Sequence, residues 1–276
     1  MPSPSYGGTE LFPDGQRRRG WGREQYWSEL SQTFSPLSVF AGGRQGIYIA
    51  PWETSTILGS DGITQISGFD QSVGKIADLS GRGNSITQPT ISKQLIYKLD
   101  GNNKPYLYSD GIDDFLYINT LDLFRAVPGG TIVTALRFRA LPTSIKPVFS
   151  ATLSSISTTS RFVLYGNTGG VIAASARRLD ADTVTTISTP ATTQLCIVTL
   201  VVDYTDRTMS LRVNGIEKAA SSAVITAGVT ENLNSMSVFL SGRTGDVSSP
   251  LDLYALMVTP STLSLSTIMN VENFFK

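Results

Sequence analysis

Met209-Ser210-Leu211-Arg212-Val213-Asn214-Gly215 is the stretch whose reading decides the fold. Met209, Leu211 and Val213 alternate with Ser210, Arg212 and Asn214. That period of two places apolar side chains on one strand face and polar ones on the other. Asn214-Gly215 then supplies the residues that tolerate positive φ, as a tight hairpin turn requires. The same alternation recurs upstream, with Ile132, Thr134, Leu136 and Phe138 set against Val133, Ala135, Arg137 and Arg139. One wall of each strand is expected to meet the core and the other water.

Working outward, the chain from Gly46 onward reads as a succession of short strands. Expected strands cover 47–51, 94–99, 105–108, 115–119, 131–141, 147–152 and 162–165, followed by 170–177, 196–204, 209–213, 235–241 and 251–258. The last is apolar on both faces, which predicts a central, covered strand. Strands do not alternate with long helices, so a βαβ architecture is excluded and two packed antiparallel sheets are expected. One helix is predicted near the C-terminus, capped by Ser264, with Ile268, Val271 and Phe275 on one face.

Composition bounds the function. Charged residues make up only 16% of the chain, below the usual quarter, and Ser, Thr and Gly fill the gap, as suits short strands and polar turns. Net charge is zero, so nothing in the overall balance points to nucleic acid or a membrane. Histidine is absent, which removes Ser-His-Asp and Cys-His catalysis and His-ligated zinc. Cys196 is the one cysteine and lies in an apolar run. It reads as a buried structural thiol, a reactive nucleophile being the alternative, and no internal disulfide is possible. No apolar leader opens the sequence, and no stretch approaches the roughly 18 apolar residues that span a membrane, so a soluble protein made in the cytoplasm is expected.

Residues 1–45 differ from the rest. They are rich in Gly, Pro, Ser and Arg, with scattered aromatics and no sustained hydrophobic period. A short helix is possible over 23–34, before Pro36. Trp21, Tyr26 and Trp27 are residue types that anchor interfaces, and Arg17, Arg18 and Arg19 lie beside them. The segment is expected to be an extended arm that docks on another protein. A strap folded over its own sandwich is the alternative, and the Arg triplet reads as a solvated or salt-bridged patch before a nucleic-acid contact. The expected division is therefore an arm over 1–45 and a β domain over 46–276.

Two stretches carry a resemblance. Val73, Asp78, Ser80, Gly81, Gly83, Asn84 and Gln88, continued by Asp110-Gly111-Ile112-Asp113-Asp114-Phe115-Leu116, resemble the signature of concanavalin A-like, laminin-G-like domains in many phage structural proteins. The Val202-Asp203-Tyr204 strand, the Asn214-Gly215 hairpin and the closing helix resemble the same family. The resemblance covers about 50–276 and implies an all-β, two-sheet antiparallel jelly-roll sandwich with a short C-terminal helix. It further implies a non-enzymatic virion component of a tailed bacteriophage, attached to other virion proteins through the arm and homo-oligomeric. The alternative is a receptor-recognising tip that binds a host surface glycan; a polysaccharide hydrolase is the remote third. No cofactor is implied.

Chemistry-bearing residues are sparse. Some jelly-roll hydrolases set carboxylates along one strand face, yet no Glu-x-Asp-x-x-Glu pattern occurs here, and no catalytic residue is assigned. Asp110, Asp113 and Asp114 form the densest acidic group and read as a turn with solvated carboxylates, a calcium site being the alternative. Asp180 and Asp182 read the same way. No metal ligand is assigned. Candidate sugar-stacking loop aromatics are Tyr165, Tyr204 and Phe69, each with a strand-end core role as its plainer reading.

Overall fold

The computed structural model describes residues 34–152, 160–179, 181–222, 227–231, 236–243 and 247–276. Its strands are β1 (Ile47–Ile49), β2 (Ile57–Leu58), β3 (Gln71–Val73), β4 (Lys75–Ile76), β5 (Ile86–Thr87), β6 (Leu95–Leu99) and β7 (Pro105–Tyr108). Next come β8 (Leu116–Leu121), β9 (Gly129–Phe138), β10 (Lys146–Thr152), β11 (Ser160–Asn167), β12 (Val171–Ala176) and β13 (Thr185–Pro190). The series ends with β14 (Cys196–Asp203), β15 (Thr208–Val213), β16 (Ile216–Ser221), β17 (Met236–Leu240), β18 (Gly242–Arg243), β19 (Val247–Ser248) and β20 (Leu251–Thr259). One helix, α1 (Leu265–Phe274), follows, capped as expected by Ser264, whose hydroxyl accepts from Thr267 N.

Two antiparallel sheets form the sandwich. The first has the order β16-β15-β14-β9-β20-β7-β6-β3, with β1 also on β20, and the second β13-β12-β11-β10-β17-β8-β5-β4-β2. Between them lies one apolar core built from alternate positions of the strands, including Leu107, Leu136, Phe138, Val198, Leu200, Leu211 and Leu253 of the first sheet. Ile76, Ile86, Leu116, Phe149 and Leu164 meet them from the second. The hairpin between β15 and β16 turns on Asn214 and Gly215 at φ 51° and 83°, as their sequence demands. The compact unit containing the sandwich runs Ser35–Lys276, so it starts ahead of Gly46.

β9 and β20 depart from simple alternation. Val133 and Ala135, expected on a wet face, are buried like their core-facing neighbours, while β20 is buried on both faces as its apolar sequence predicts. The cause is a cover. α1 packs across the outside of β9 and β14 and against the 3-10 segment Pro36–Gly43, bringing Ile268, Val271, Val39 and Phe40 into burial. A buried ion pair fastens this cover. Arg212 of β15 donates from Nε to Glu272 Oε1 at 3.0 Å, and Thr199 Oγ1 donates to the same oxygen at 2.8 Å.

The resemblance motif also has a physical role. Asp78 Oδ1 accepts from Tyr48 N at 2.9 Å and Ser80 N at 2.8 Å, while Oδ2 accepts from Asn84 N at 3.1 Å. Asn84 Nδ2 donates to Gly46 O at 2.7 Å, and Arg82 Nη2 donates to Phe40 O at 2.9 Å. The motif is thus a clasp that ties the entry segment to the sandwich.

Replacing Glu272 with Ala should lower stability by about 3–5 kcal/mol in urea unfolding, because Arg212 would be left buried without its partner. Cys196 is buried and its thiol is pushed up to about 11 by desolvation. Native protein should therefore resist alkylation until unfolded, and Cys196→Ala should cost on the order of 1 kcal/mol.

Candidate functional site

The second sheet turns part of its outer face into a groove. Because Ile76, Ile86 and Leu116 point into the core, their strand neighbours Lys75, Thr87 and Tyr117 face outward. Register aligns them: Lys75 pairs with Thr87 and Thr87 with Tyr117. They form one row across β4, β5 and β8.

A loop walls this row. Asp61 Oδ1 accepts from Ile63 N and Thr64 N, both at 2.8 Å, and Oδ2 accepts from Thr64 Oγ1 at 2.6 Å. These bonds fold the loop after β2 and hold the Asp61 carboxyl below its ordinary pKa, the Thr64 hydroxyl contributing most. Gly74 lets the loop sit close to β4. A Cβ there would lie 2.6 Å from Gly59 O, 2.8 Å from Ser60 O and 2.9 Å from Gly62 N. Gln94, buried beneath, donates from Nε2 to Ser60 O at 2.9 Å and to Gln88 O at 2.7 Å. Gln88 in turn donates to Phe115 O at 3.1 Å.

The resulting groove has a volume of about 580 Å³ and is lined by the Lys75–Thr87–Tyr117 row, Ser60, Asp61 and Ser85, among others. A second cleft of about 430 Å³ continues from it past Ser60, Asp61 and Ile91 toward Gln65 and Gln71. Ile63 and Ile91, 82% and 63% exposed, add apolar surface near these clefts. The lining combines an aromatic ring, hydroxyls, amides and one charge of each sign, which suits a polyhydroxylated ligand of low net charge. Among the described residues Asp61 is the only carboxylate in either lining, whereas glycoside hydrolysis by the usual route needs two across the bond.

The aromatics singled out from sequence lie elsewhere. Tyr165 is buried with its hydroxyl 3.0 Å from Ser175 Oγ, and Tyr204 is buried at 1% exposure. Phe69 is exposed and stacks on Tyr97 at 5.1 Å. Tyr117 and Lys75 were not distinguished by sequence reasoning, although the alternation of β8 places Tyr117 opposite Leu116. Arg17, Arg18, Arg19, Trp21, Tyr26, Trp27 and Asp180 lie outside the described residues.

The carboxylates of Asp110, Asp113 and Asp114 approach within 4.8 Å of one another. Each already has work in the turn. Asp114 Oδ2 accepts from Asp110 N at 2.9 Å, Asp110 Oδ1 from Ile112 N at 2.7 Å, and Asp113 lies 3.9 Å from Lys93 Nζ. Desolvation, reinforced by the other two carboxylates, pushes Asp114 up to about 6. A raised acid beside a second carboxylate is the pattern of a glycosidase pair, yet this trio lies outside both clefts of the groove.

No family model matches the chain, and no curated protein matches its sequence. Solved structures do match its fold. The binding domain of Paraclostridial Mosquitocidal Protein 1 aligns with TM-score 0.56 at 15% identity, over 72% of this chain and 49% of that one. The binding domain of botulinum neurotoxin DC, solved with rat synaptotagmin II, aligns with TM-score 0.55 at 10% identity, over 73% and 49%. A botulinum neurotoxin type C structure, described by cell entry dependent on two ganglioside molecules, aligns with TM-score 0.54 at 10% identity, over 73% and 49%. The chain is a β-sandwich of this kind. It spans about half the length of these structures, and the likeness is one of fold.

Asp114 generates a pH expectation. The folded chain holds its proton up to about pH 6, while an unfolded Asp releases it near about 4. The folded state therefore binds more protons in that interval, and stability should fall as pH rises through it. Thermal melts across that range should show the decline, and Asp114→Asn should flatten it.

Proposed function

We propose that this chain is a non-enzymatic glycan-recognition module whose binding surface is the groove on the second sheet. The observation that carries the reading is the cross-strand row of Lys75, Thr87 and Tyr117, walled by a loop that Asp61 and Gly74 hold rigid. Tyr117, whose ring lies 5.7 Å from that of Phe115, brings an aromatic group to the groove, and the surrounding hydroxyl, amide and charged groups supply directional hydrogen bonds. The fold likeness supports the choice of ligand by analogy alone, since the matched structures include a binding domain in complex with rat synaptotagmin II and one whose protein depends on two ganglioside molecules for cell entry. A single carboxylate in the groove supports binding without hydrolysis.

The sequence resemblance of the Asp78 clasp and of the Asp110–Leu116 stretch supports a setting on a phage particle. In that setting the arm, through Trp21, Tyr26, Trp27 and the Arg17–Arg19 triplet, attaches a homo-oligomeric protein to other virion proteins. The sandwich then faces a host surface glycan.

Glycan-array screening followed by calorimetry tests the groove. Tyr117→Ala should weaken the selected glycan by about tenfold or more, as loss of a central aromatic anchor does. Lys75→Ala should have a smaller effect, and Phe69→Ala should have none. No reducing sugar should be released over the same incubation. Binding that survives Tyr117→Ala unchanged would remove the groove from consideration, and sustained product release would remove the non-enzymatic reading.

A further inference from the structure

The first sheet carries a second arrangement on its outer face, away from the groove. Asp252 of β20 is fully buried although it points away from the core, its neighbours Leu251 and Leu253 being core residues. It holds two guanidiniums. Arg137 of β9 donates from Nε and Nη2 to Asp252 Oδ2 at 2.8 and 2.5 Å, and Arg139 Nη1 donates to Oδ1 at 3.1 Å. Arg139 Nη2 also donates to Ser109 O. The arginine side chains remain 36% and 26% exposed while the carboxylate between them is 1% exposed.

Tyrosine rings lie beside both cations. The Arg139 guanidinium lies 3.8 Å from the centroid of Tyr108, and that of Arg137 lies 6.0 Å from Tyr106. Tyr106 stacks on Tyr254 at 5.3 Å. Burying a carboxylate on a sheet's outer face is costly unless it is fully paired, and here the pairing fixes two rotamer-rich side chains in place. One carboxylate shared by two guanidiniums leaves a unit of positive charge. Two further acids feel these cations, Asp100 that of Arg137 and Asp114 that of Arg139. Asp100 accepts from Asn102 N, Lys104 N and the Tyr254 hydroxyl, and Asp70 pairs with Lys98 at 2.8 Å. Arg137 Nη1 and Arg139 Nε donate to no described residue.

We propose that Arg137 and Arg139, oriented by Asp252 and flanked by Tyr106 and Tyr108, form a second binding site for the carboxylate or sulfate group of an acidic saccharide. Arginine's planar fork matches both oxyanions; the rings of Tyr106 and Tyr108 are taken up by Tyr254, Arg137, Arg139 and Lys98, so the oxyanion carries the recognition. Asp252 is a positioning residue: its oxygens are occupied by the arginines and it acts through them. The saccharide part of the assignment rests on the glycan-binding reading above; the oxyanion part does not.

Titration with trigalacturonate, a sulfated heparin tetrasaccharide, a neutral maltotriose control and free sulfate tests the site. The intact chain should bind the two acidic saccharides with an affinity that falls as salt rises. Arg137→Gln and Arg139→Gln should each weaken them by about tenfold or more, while Tyr117→Ala leaves them unchanged. Binding of free sulfate at the same arginines, with no gain from the sugar, would keep the oxyanion site and overturn the saccharide. The double variant Arg137→Gln, Asp252→Asn leaves no buried carboxylate stranded beside a lost partner. It should melt near the parent and still lose acidic ligands, and equal binding by that variant would overturn the site. Loss of acidic ligands with Tyr117→Ala would also overturn it, by assigning them to the groove, and a failed groove would show as Tyr117→Ala indifference to the glycan selected by array.

Discussion

The double-sided burial of β9 and β20 is the constraint on which the rest of the sandwich depends. One face of this pair makes the inter-sheet core, and the other carries Val133, Ala135 and Met257, which cannot be left in water without losing roughly 25 cal/mol for every Å² exposed. The chain answers by laying α1 across β9 and β14, with the Pro36–Gly43 segment packed against α1. Each cover is then tied down by polar bonds that leave few loose ends. Glu272 joins α1 to Arg212 and Thr199, and the Asp78 clasp with Asn84 and Arg82 holds the entry segment at Gly46, Tyr48 and Phe40.

This explains how much of the fold was legible. Where a strand is long and one-sided or wholly apolar, as in β15, β14 and β20, periodicity locates it within a residue or two. The helix is legible because Ser264 marks its start and Ile268 and Val271 its buried face. What escaped notice has no period to detect. β2, β4 and β5 are two residues each, and the edge strands β13 and β16 are rich in Thr, Ser, Glu and Lys, since an edge needs little apolar surface. Their positions are set by bonds distant in sequence, such as Gly74 N to Gly59 O and Gln94 Nε2 to Ser60 O, which a local reading does not contain. The wet wall expected for β9 fails for the same reason: the helix that covers it lies more than a hundred residues further on.

The candidate groove shows the same limit. Loop aromatics are conspicuous in a sequence, and Tyr165, Tyr204 and Phe69 drew the reading toward the strand ends. Two of them are buried because an aromatic at a strand end most cheaply completes the core. Tyr117 sits inside a strand and becomes a surface feature only when β5 and β4 bring Thr87 and Lys75 into its register. The motif that supports the resemblance is not itself the groove. It contributes Gln88 to the lining and otherwise anchors backbone, so a recognisable scaffold and a candidate binding surface coexist in one stretch of chain.

Glu272 and Asp252 mark the two uses that the first sheet makes of a buried acid. Both lie on its outer side, and both are nearly inaccessible and hydrogen-bonded to arginine. Glu272 pairs with an Arg212 side chain that is itself only 10% exposed, beneath α1, and its tertiary reason is plain because it fastens a helix to a sheet. Asp252 fastens nothing comparable among the described residues. Arg137 and Asp252 face each other in the β9–β20 ladder, and Arg139 directly follows β9, its N–H bonded to Pro250 O, so the ion pairs add little to the topology. Two ionised groups on neighbouring strands could be replaced by threonine or valine without disturbing that ladder, and such replacements of a buried pair are often neutral or stabilising. The cost of the buried carboxylate is therefore not explained by holding the sheet together. It is explained by holding two partly exposed guanidiniums in one geometry, since a fixed fork loses less freedom on meeting an oxyanion than two mobile side chains would.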